Sequence, residues 1–200
     1  MRRHPFLAAF TIIYIVGWST AGLMLGRPQV WAYAAWIVAA GTVVVWADHH
    51  VRFSTTVLAI LSVVGFAHMA GGNITVQPSG DLQFAQTVLY AQSWWEWIRY
   101  DLIIHFFGLG AVGIAASEAL QKYTNVSTQL RTLTAVLAAN AAGAWVEIGE
   151  YFITLINPEA LVGDYQNNMT DLIANLAGSL TAAWWTTLPR TRRSKLPPHK

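Results

Sequence analysis

Residues 101–120 read DLIIHFFGLGAVGIAASEAL, a mostly apolar run that begins with Asp101, carries His105 one turn later and has Glu118 near its end. A hydrocarbon core requires about 20 apolar residues in a helix that crosses it. Backbone hydrogen bonds must close within such a segment, and the run is too long and too uniformly apolar for a barrel strand. The stretch therefore predicts a transmembrane helix with two ionisable side chains at one end.

The composition of the whole chain also points to a membrane protein. Of its 200 residues, 54% are hydrophobic and only 11% are charged, whereas soluble domains carry about 25% charged residues. The predicted spans are residues 6–25, 30–47, 53–70, 101–120, 132–156 and 172–188. We therefore expect an all-α polytopic helical bundle of about six transmembrane helices, with one transmembrane domain over residues 1–188 and a basic tail over 189–200.

The distribution of Lys and Arg predicts the orientation of the bundle. Ten of the twelve lie at the N-terminus, in the 48–52 turn, in the 121–131 loop or in the C-terminal tail. The positive-inside rule then places both termini of this multi-pass protein in the cytoplasm. The basic residues are thus explained by topology, with the lipid bilayer as partner and no nucleic acid.

The extracytoplasmic loop over residues 71–98 is too long for a simple turn. It contains the segment SWWEWI at 93–98, directly before the fourth span. Such a segment can lie as a helix in the membrane interface, where its tryptophans form an aromatic belt. An alternative is that these rings line an entrance for lipid.

Seven ionisable residues share the extracytoplasmic end of the predicted spans: His68, Asp101, His105, Glu147, Glu150, Asp164 and Asp171. The third span ends with one of them, and the fourth and sixth begin with others. The two glutamates lie about 9–14 Å before the end of the fifth span, at 1.5 Å per residue. Ionisable residues are costly in a bilayer and usually face a protein interior or a cavity. We therefore predict that they form one site.

The chemistry of this predicted site follows from its donor atoms. Glu147 and Glu150 are spaced i, i+3 on one helix face, so in a low dielectric they must share a proton, gain a cation partner or bind a metal. Only Arg99, near the rim, offers a cation at this depth, which favours a proton or a metal. The chain has no cysteine, so a metal would have nitrogen and oxygen ligands. Histidine with carboxylates suits Zn²⁺, Mn²⁺ or Fe²⁺, and an oxygen-only subset suits Mg²⁺ or Ca²⁺.

The candidate catalytic residues are Glu147, Glu150 and His105. A metal would polarise an ester or phosphoryl oxygen and acidify bound water, while a glutamate or histidine moves the proton. The candidate metal ligands are His68, Asp101, His105, Glu150, Asp164 and Asp171. No HExxH motif or equivalent is present in the sequence. Simpler interpretations stay open: an interfacial histidine, an N-terminal helix cap and polar contacts between helices.

Five patterns together resemble a known family: AHMAGG at 67–72, YDxxxHFxG at 100–108 with Glu118, ExxE at 147–150, GD at 163–164 and DxxxNxxG at 171–178. The combination is similar to small bacterial inner-membrane proteins of the YjdF type, and to the wider VanZ-like group, in which the DxxxH and DxxxNxxG helices recur. The resemblance implies an integral membrane domain of unknown function, and VanZ-like proteins are associated with glycopeptide resistance and envelope properties. The chain departs from the YjdF-type pattern at Asn167. The pattern has a second acidic residue here, three positions after Asp164, although an amide oxygen can also coordinate a metal.

Two classes of function follow from these observations. The first is metal-dependent hydrolysis or transfer on a lipid or lipid-linked envelope substrate. The alternative is an ion or proton relay in a small transporter or an accessory membrane protein. A transport path requires polar residues through the whole bilayer, and the inner halves of the spans are almost wholly apolar, with Glu118 and Asp48 at the cytoplasmic edge. This favours a one-sided pocket, whereas a continuous path between Glu118 and His105 would favour transport.

Overall fold

The computed structural model describes residues 3–26, 30–74, 99–156 and 165–188, and within these ranges every regular element is an α-helix. The helices are α1 Pro5–Met24, α2 Val30–Val51, α3 Thr55–Asn73, α4 Tyr100–Tyr123, α5 Thr128–Ile156 and α6 Tyr165–Thr187. The prediction of an all-α bundle is confirmed. The predicted outer loop begins inside α3, and its remainder from residue 75 to 98 lies outside the described residues, as does the tail from 189 to 200.

Three of these helices are long and apolar enough to cross a membrane: α1, α2 from Tyr33 onward, and α4. In α3 the apolar part, Thr55–Gly71, is shorter. The remaining helices, α5 and α6, carry buried polar residues on one side and exposed apolar residues such as Leu137, Trp145 and Leu180 on the other. An apolar outer surface around a polar interior is the arrangement expected of helices surrounded by lipid.

The centre of the bundle is α4, which packs against α3, α5 and α6, while α1 and α2 pack against α3. Glycines bring α4 and α6 together. A Cβ atom at Gly178 would lie 2.8 Å from the carbonyl carbon of Phe106, and one at Gly110 would lie 3.1 Å from the carbonyl oxygen of Gly178. Because small residues let helix backbones approach closely in a membrane, they bring the polar faces of α4 and α6 into contact.

The end of the bundle opposite the polar residues is held by side chains of α4. The carboxylate of Glu118 accepts a hydrogen bond of 2.8 Å from the backbone N–H of Ser54, the N-cap residue of α3. The hydroxyl of Tyr123 donates to the carbonyl of His50 near the end of α2 at 2.7 Å. Between them, Arg52 adopts a left-handed conformation with φ of 63°. Glu118 therefore caps a helix here, about 20 Å along α4 from His105 at 1.5 Å per residue.

Candidate metal centre

Three buried side chains from three helices meet near the other end of the bundle. They are His105 of α4, Glu147 of α5 and Asp171 of α6, and one ligand atom from each lies within 4.8 Å of the other two. All three side chains are less than a tenth exposed. A histidine nitrogen and two carboxylate oxygens at this spacing can converge on one divalent cation.

The imidazole of His105 is oriented by Asn175, which lies one turn after Asp171 on α6. Its Nδ1 atom is 2.9 Å from the amide oxygen of Asn175, and Asn175 is fully buried. Because an amide oxygen only accepts hydrogen bonds, Nδ1 carries the proton and Nε2 keeps its lone pair. This is the arrangement by which proteins fix the tautomer of a metal-binding histidine.

Arg99, the cation that the sequence places at this depth, joins two aspartates at the rim of the group. Its Nε atom donates to Oδ1 of Asp101 at 3.0 Å, and its terminal nitrogen lies 2.9 Å from Oδ1 of Asp171. Arg99 is the N-cap residue of α4 with an extended backbone, so its long side chain reaches both α4 and α6. In the sequence, the position of Arg99 two residues before Asp101 is the feature that could have indicated this ion pair.

The second oxygen of Asp171 also has a donor. The amide nitrogen of Asn167, one turn earlier on α6, lies 2.6 Å from Oδ2 of Asp171. Asn167 therefore faces Asp171 with its amide nitrogen. The charge of Asp171 is thus balanced by one cation and one neutral donor.

Glu147 differs from Asp171 because neither of its carboxylate oxygens has a hydrogen-bond partner among the described residues. The Nδ1 atom of His105 lies 3.7 Å from Oε1 of Glu147, beyond hydrogen-bond distance. Burying an ionised carboxylate without a hydrogen bond costs several kcal/mol. The position therefore calls for a proton or a metal ion on Glu147.

Three of the other predicted site residues, Glu150, Asp101 and His68, lie in the described part of the chain. Glu150 is partly buried one turn beyond Glu147 and lies outside the three-residue group. Asp101 pairs with Arg99 and also accepts from the backbone N–H of Leu102 at 2.8 Å. The ring of His68 packs against the ring of Tyr33 at a tilt of 58°, with 5.1 Å between ring centroids. Asp164 lies outside the described residues.

Below this group the interior changes from polar to apolar within two helix turns. The amide of Asn140 on α5 donates to the hydroxyl of Ser179 on α6 at 2.9 Å. At the same level a Cβ atom at Gly113 would lie 3.7 Å from that of Ala139, 3.9 Å from that of Ala182 and 3.9 Å from the Cα atom of Ser179. This close-packed layer of small residues lies between the polar group and the end of α4 that holds Glu118.

Comparison with known proteins gives a family and one distant relative. Residues 6–192 match the family described as "Predicted membrane protein (DUF2238)". The chain is also similar to an uncharacterized protein of Mycoplasma genitalium, MG306, with 26% identity over 92 residues, which is 46% of this chain and 22% of that protein. The chain thus spans about a fifth of the length of this curated relative. No solved structure matches the chain significantly.

Proposed function

The chain belongs to the family of predicted membrane proteins designated DUF2238, and we propose that it uses a divalent metal ion at His105, Glu147 and Asp171 to hydrolyse or transfer an ester or phosphoryl group of a lipid or lipid-linked envelope substrate. The observation that carries this proposal is the approach of three ligand atoms to within 4.8 Å in a buried position. In this proposal the chain crosses the bacterial inner membrane several times, and the site lies on the extracytoplasmic side. We also propose that the family is related to VanZ-like proteins.

The donors present fit a metal ion: each oxygen of Asp171 accepts one hydrogen bond, from Arg99 or from Asn167, and keeps a lone pair for a metal. Both oxygens of Glu147 lack a hydrogen-bond partner among the described residues, so a cation there would offset the cost of a buried charge. The carbonyl of Asn175 holds His105 in the tautomer with a lone pair on Nε2, and outer contacts of this kind typically accompany metal ligands. One nitrogen and two oxygen donors favour Zn²⁺, Mn²⁺ or Fe²⁺ over Mg²⁺.

The remaining polar residues have roles consistent with this chemistry. A bound metal would polarise the substrate oxygen and acidify a water molecule. Glu150, three residues from Glu147 on α5, is positioned to take up or return the proton. Arg99 and Asp101 hold Asp171 in place through the ion pairs at the rim. His68 and Asp164 remain predicted ligands.

A proton or ion relay in a small transporter is the second candidate. The unpartnered carboxylate of Glu147 and the polar contact between Asn140 and Ser179 favour it, because a relay needs titratable groups that continue into the membrane. The layer of Gly113, Ala139 and Ala182 is the observation against it. A pocket closed at that layer suits chemistry on one side of the membrane better than transport across it.

Elemental analysis of the purified protein tests the metal site. The wild type, a Glu147→Gln variant and a Glu118→Gln control would be purified in detergent without chelator and after reconstitution with Zn²⁺, Mn²⁺ or Fe²⁺. We expect near-stoichiometric metal in the wild type and in the control, and loss of metal from Glu147→Gln. The control removes the carboxylate of Glu118, at the opposite end of the bundle. It keeps a side-chain oxygen that can accept the hydrogen bond from the N–H of Ser54. Wild-type protein that binds none of these metals would contradict the proposal and move the relay to first place.

A further inference from the structure

One buried oxygen near the candidate metal centre belongs to none of its three ligand residues. It is the side-chain Oδ1 atom of Asn168 on α6, three residues before Asp171. The atom is shielded from solvent and has no hydrogen-bond partner among the described residues. Buried amide oxygens are normally paired, because one that is left without a donor loses its bonds to water and gains nothing in return. This oxygen therefore needs a donor or a cation.

Asn168 lies on the side of α6 that faces α5. At 3.6 residues per turn, its direction on the helix falls between those of Asn175 and Ser179, about 20° from each. Asn175 packs closely against α5, where a Cβ atom at Gly143 would lie 2.9 Å from the Cγ atom of Asn175. Ser179 accepts a hydrogen bond of 2.9 Å from Asn140 of α5. The side chain of Asn168 therefore leaves α6 on the side of α5 rather than on the side of the lipid.

The pairing of α5 with α6 places Asn168 at the outer edge of the metal centre. Three pairs define an antiparallel register in which each pair lies one turn farther out than the last: Asn140 with Ser179, Gly143 with Asn175 and Glu147 with Asp171. The next pair outward is Glu150 with Asn168, about 4.5 Å along α6 from Asp171. Residues three apart on a helix are neighbours, so the amide oxygen of Asn168 can reach a cation that Asp171 and Glu147 hold.

Resting on the proposed metal site, we infer that the amide oxygen of Asn168 is a fourth ligand and shifts the selectivity of the site from Zn²⁺ toward Mn²⁺. Zinc in proteins is bound by cysteine, histidine and carboxylate ligands. Amide oxygens are typical ligands of harder cations, and Mn²⁺ is the one among Zn²⁺, Mn²⁺ and Fe²⁺ that carbonyl oxygens suit. A cation bound here would also satisfy the unpartnered oxygens of Asn168 and Glu147.

Metal titrations test this inference. The full chain would be purified in detergent and freed of metal with a chelator that is then removed. Binding of Mn²⁺ would be followed by the electron paramagnetic resonance signal of the free ion, and binding of Zn²⁺ by competition with a chromophoric chelator. Asn168→Leu removes the oxygen and keeps a side chain of similar size. Gln166→Leu is the matched control, since Gln166 is exposed and lies on the opposite side of the same helix.

In Asn168→Leu we expect the Kd for Mn²⁺ to rise at least roughly tenfold, a loss that even the outer contacts of a metal ligand produce. The Kd for Zn²⁺ should rise less, and the control should bind both metals as the wild type does. Asn168→His replaces the amide with an imidazole and should lower the Kd for Zn²⁺ relative to that for Mn²⁺. This second variant keeps the test decisive if Asn168→Leu does not fold.

The comparison of two metals separates a ligand from a residue that only supports the fold, because the latter would weaken the binding of both metals to the same extent. Unchanged affinities in Asn168→Leu, or equal losses for Mn²⁺ and Zn²⁺, would therefore overturn the inference and leave the three-ligand site intact. A wild type that binds no metal would refute the proposed function and the inference together.

Discussion

Replacing Gly178 with alanine tests whether the close approach of α4 and α6 holds the polar group together. An added Cβ atom would lie 2.8 Å from the carbonyl carbon and 2.9 Å from the Cα atom of Phe106. Ordinary carbon contacts are about 3.5–4.0 Å, so the helices must separate by roughly 0.7 Å or more. Backbone atoms cannot rotate out of the way as a side chain can. The whole of α6 must therefore shift relative to α4.

The expected cost is about 1–3 kcal/mol, the usual range for overpacking a tight interior. Melting followed by circular dichroism in detergent should show a fall of roughly 2–12 °C, at 2–4 °C per kcal/mol for a chain of this size. Gly17→Ala is the matched control, since a Cβ atom there meets no atom within 4 Å. Alanine in an open helix position should stabilise by about 0.5–1 kcal/mol.

Because Asp171 and Asn175 precede Gly178 by seven and three residues, they lie on the same face of α6 and move with it. Metal content should therefore fall in Gly178→Ala and stay unchanged in Gly17→Ala. Equal melting temperatures in these two variants would refute the close approach between the helices. A destabilised Gly178→Ala variant that keeps its full metal content would refute the link between this contact and the site.

Two further predictions concern charges at the two ends of the bundle. Arg99→Gln removes the cation shared by Asp101 and Asp171, and without metal this should lower the free energy of unfolding by about 3–5 kcal/mol. Added Zn²⁺ or Mn²⁺ should raise the melting temperature of this variant more than that of the wild type. An equal gain in melting temperature for both proteins would contradict this. Glu118→Ala removes the acceptor for the N–H of Ser54 and should lower the free energy of unfolding by about 0.5–2 kcal/mol. Glu118→Gln keeps an acceptor oxygen and should melt close to the wild type. Equal losses of stability in the two variants would show that the hydrogen bond is not the cause.

The fold was accessible from the sequence because hydrophobic runs define helices in a membrane with little interference from tertiary structure. The depth of His105 and Asp171 followed from their positions within the runs. The pairing of helix faces did not, since the contact of Gly178 with Phe106 depends on the rotation of α6. Arg99 was assigned to the rim from its position alone, but an arginine side chain is long enough to reach inward to a buried carboxylate. Hydropathy along the sequence gives the depth of a residue's backbone, but not the depth of the charged group at the end of its side chain.

The different surroundings of the acidic residues bear on which function the site performs. Asp101 and Asp171 share the guanidinium of Arg99, and Asp171 gains a further donor from Asn167. These two carboxylates are balanced without any added ion. Glu147 is the buried carboxylate whose oxygens have no hydrogen-bond partner among the described residues, and it touches the imidazole that Asn175 orients. The cation that Glu147 takes up, a proton or a divalent metal, therefore distinguishes a relay from a metal-dependent enzyme, and the metal content of the wild type, compared with that of Glu147→Gln, is the measurement that separates them.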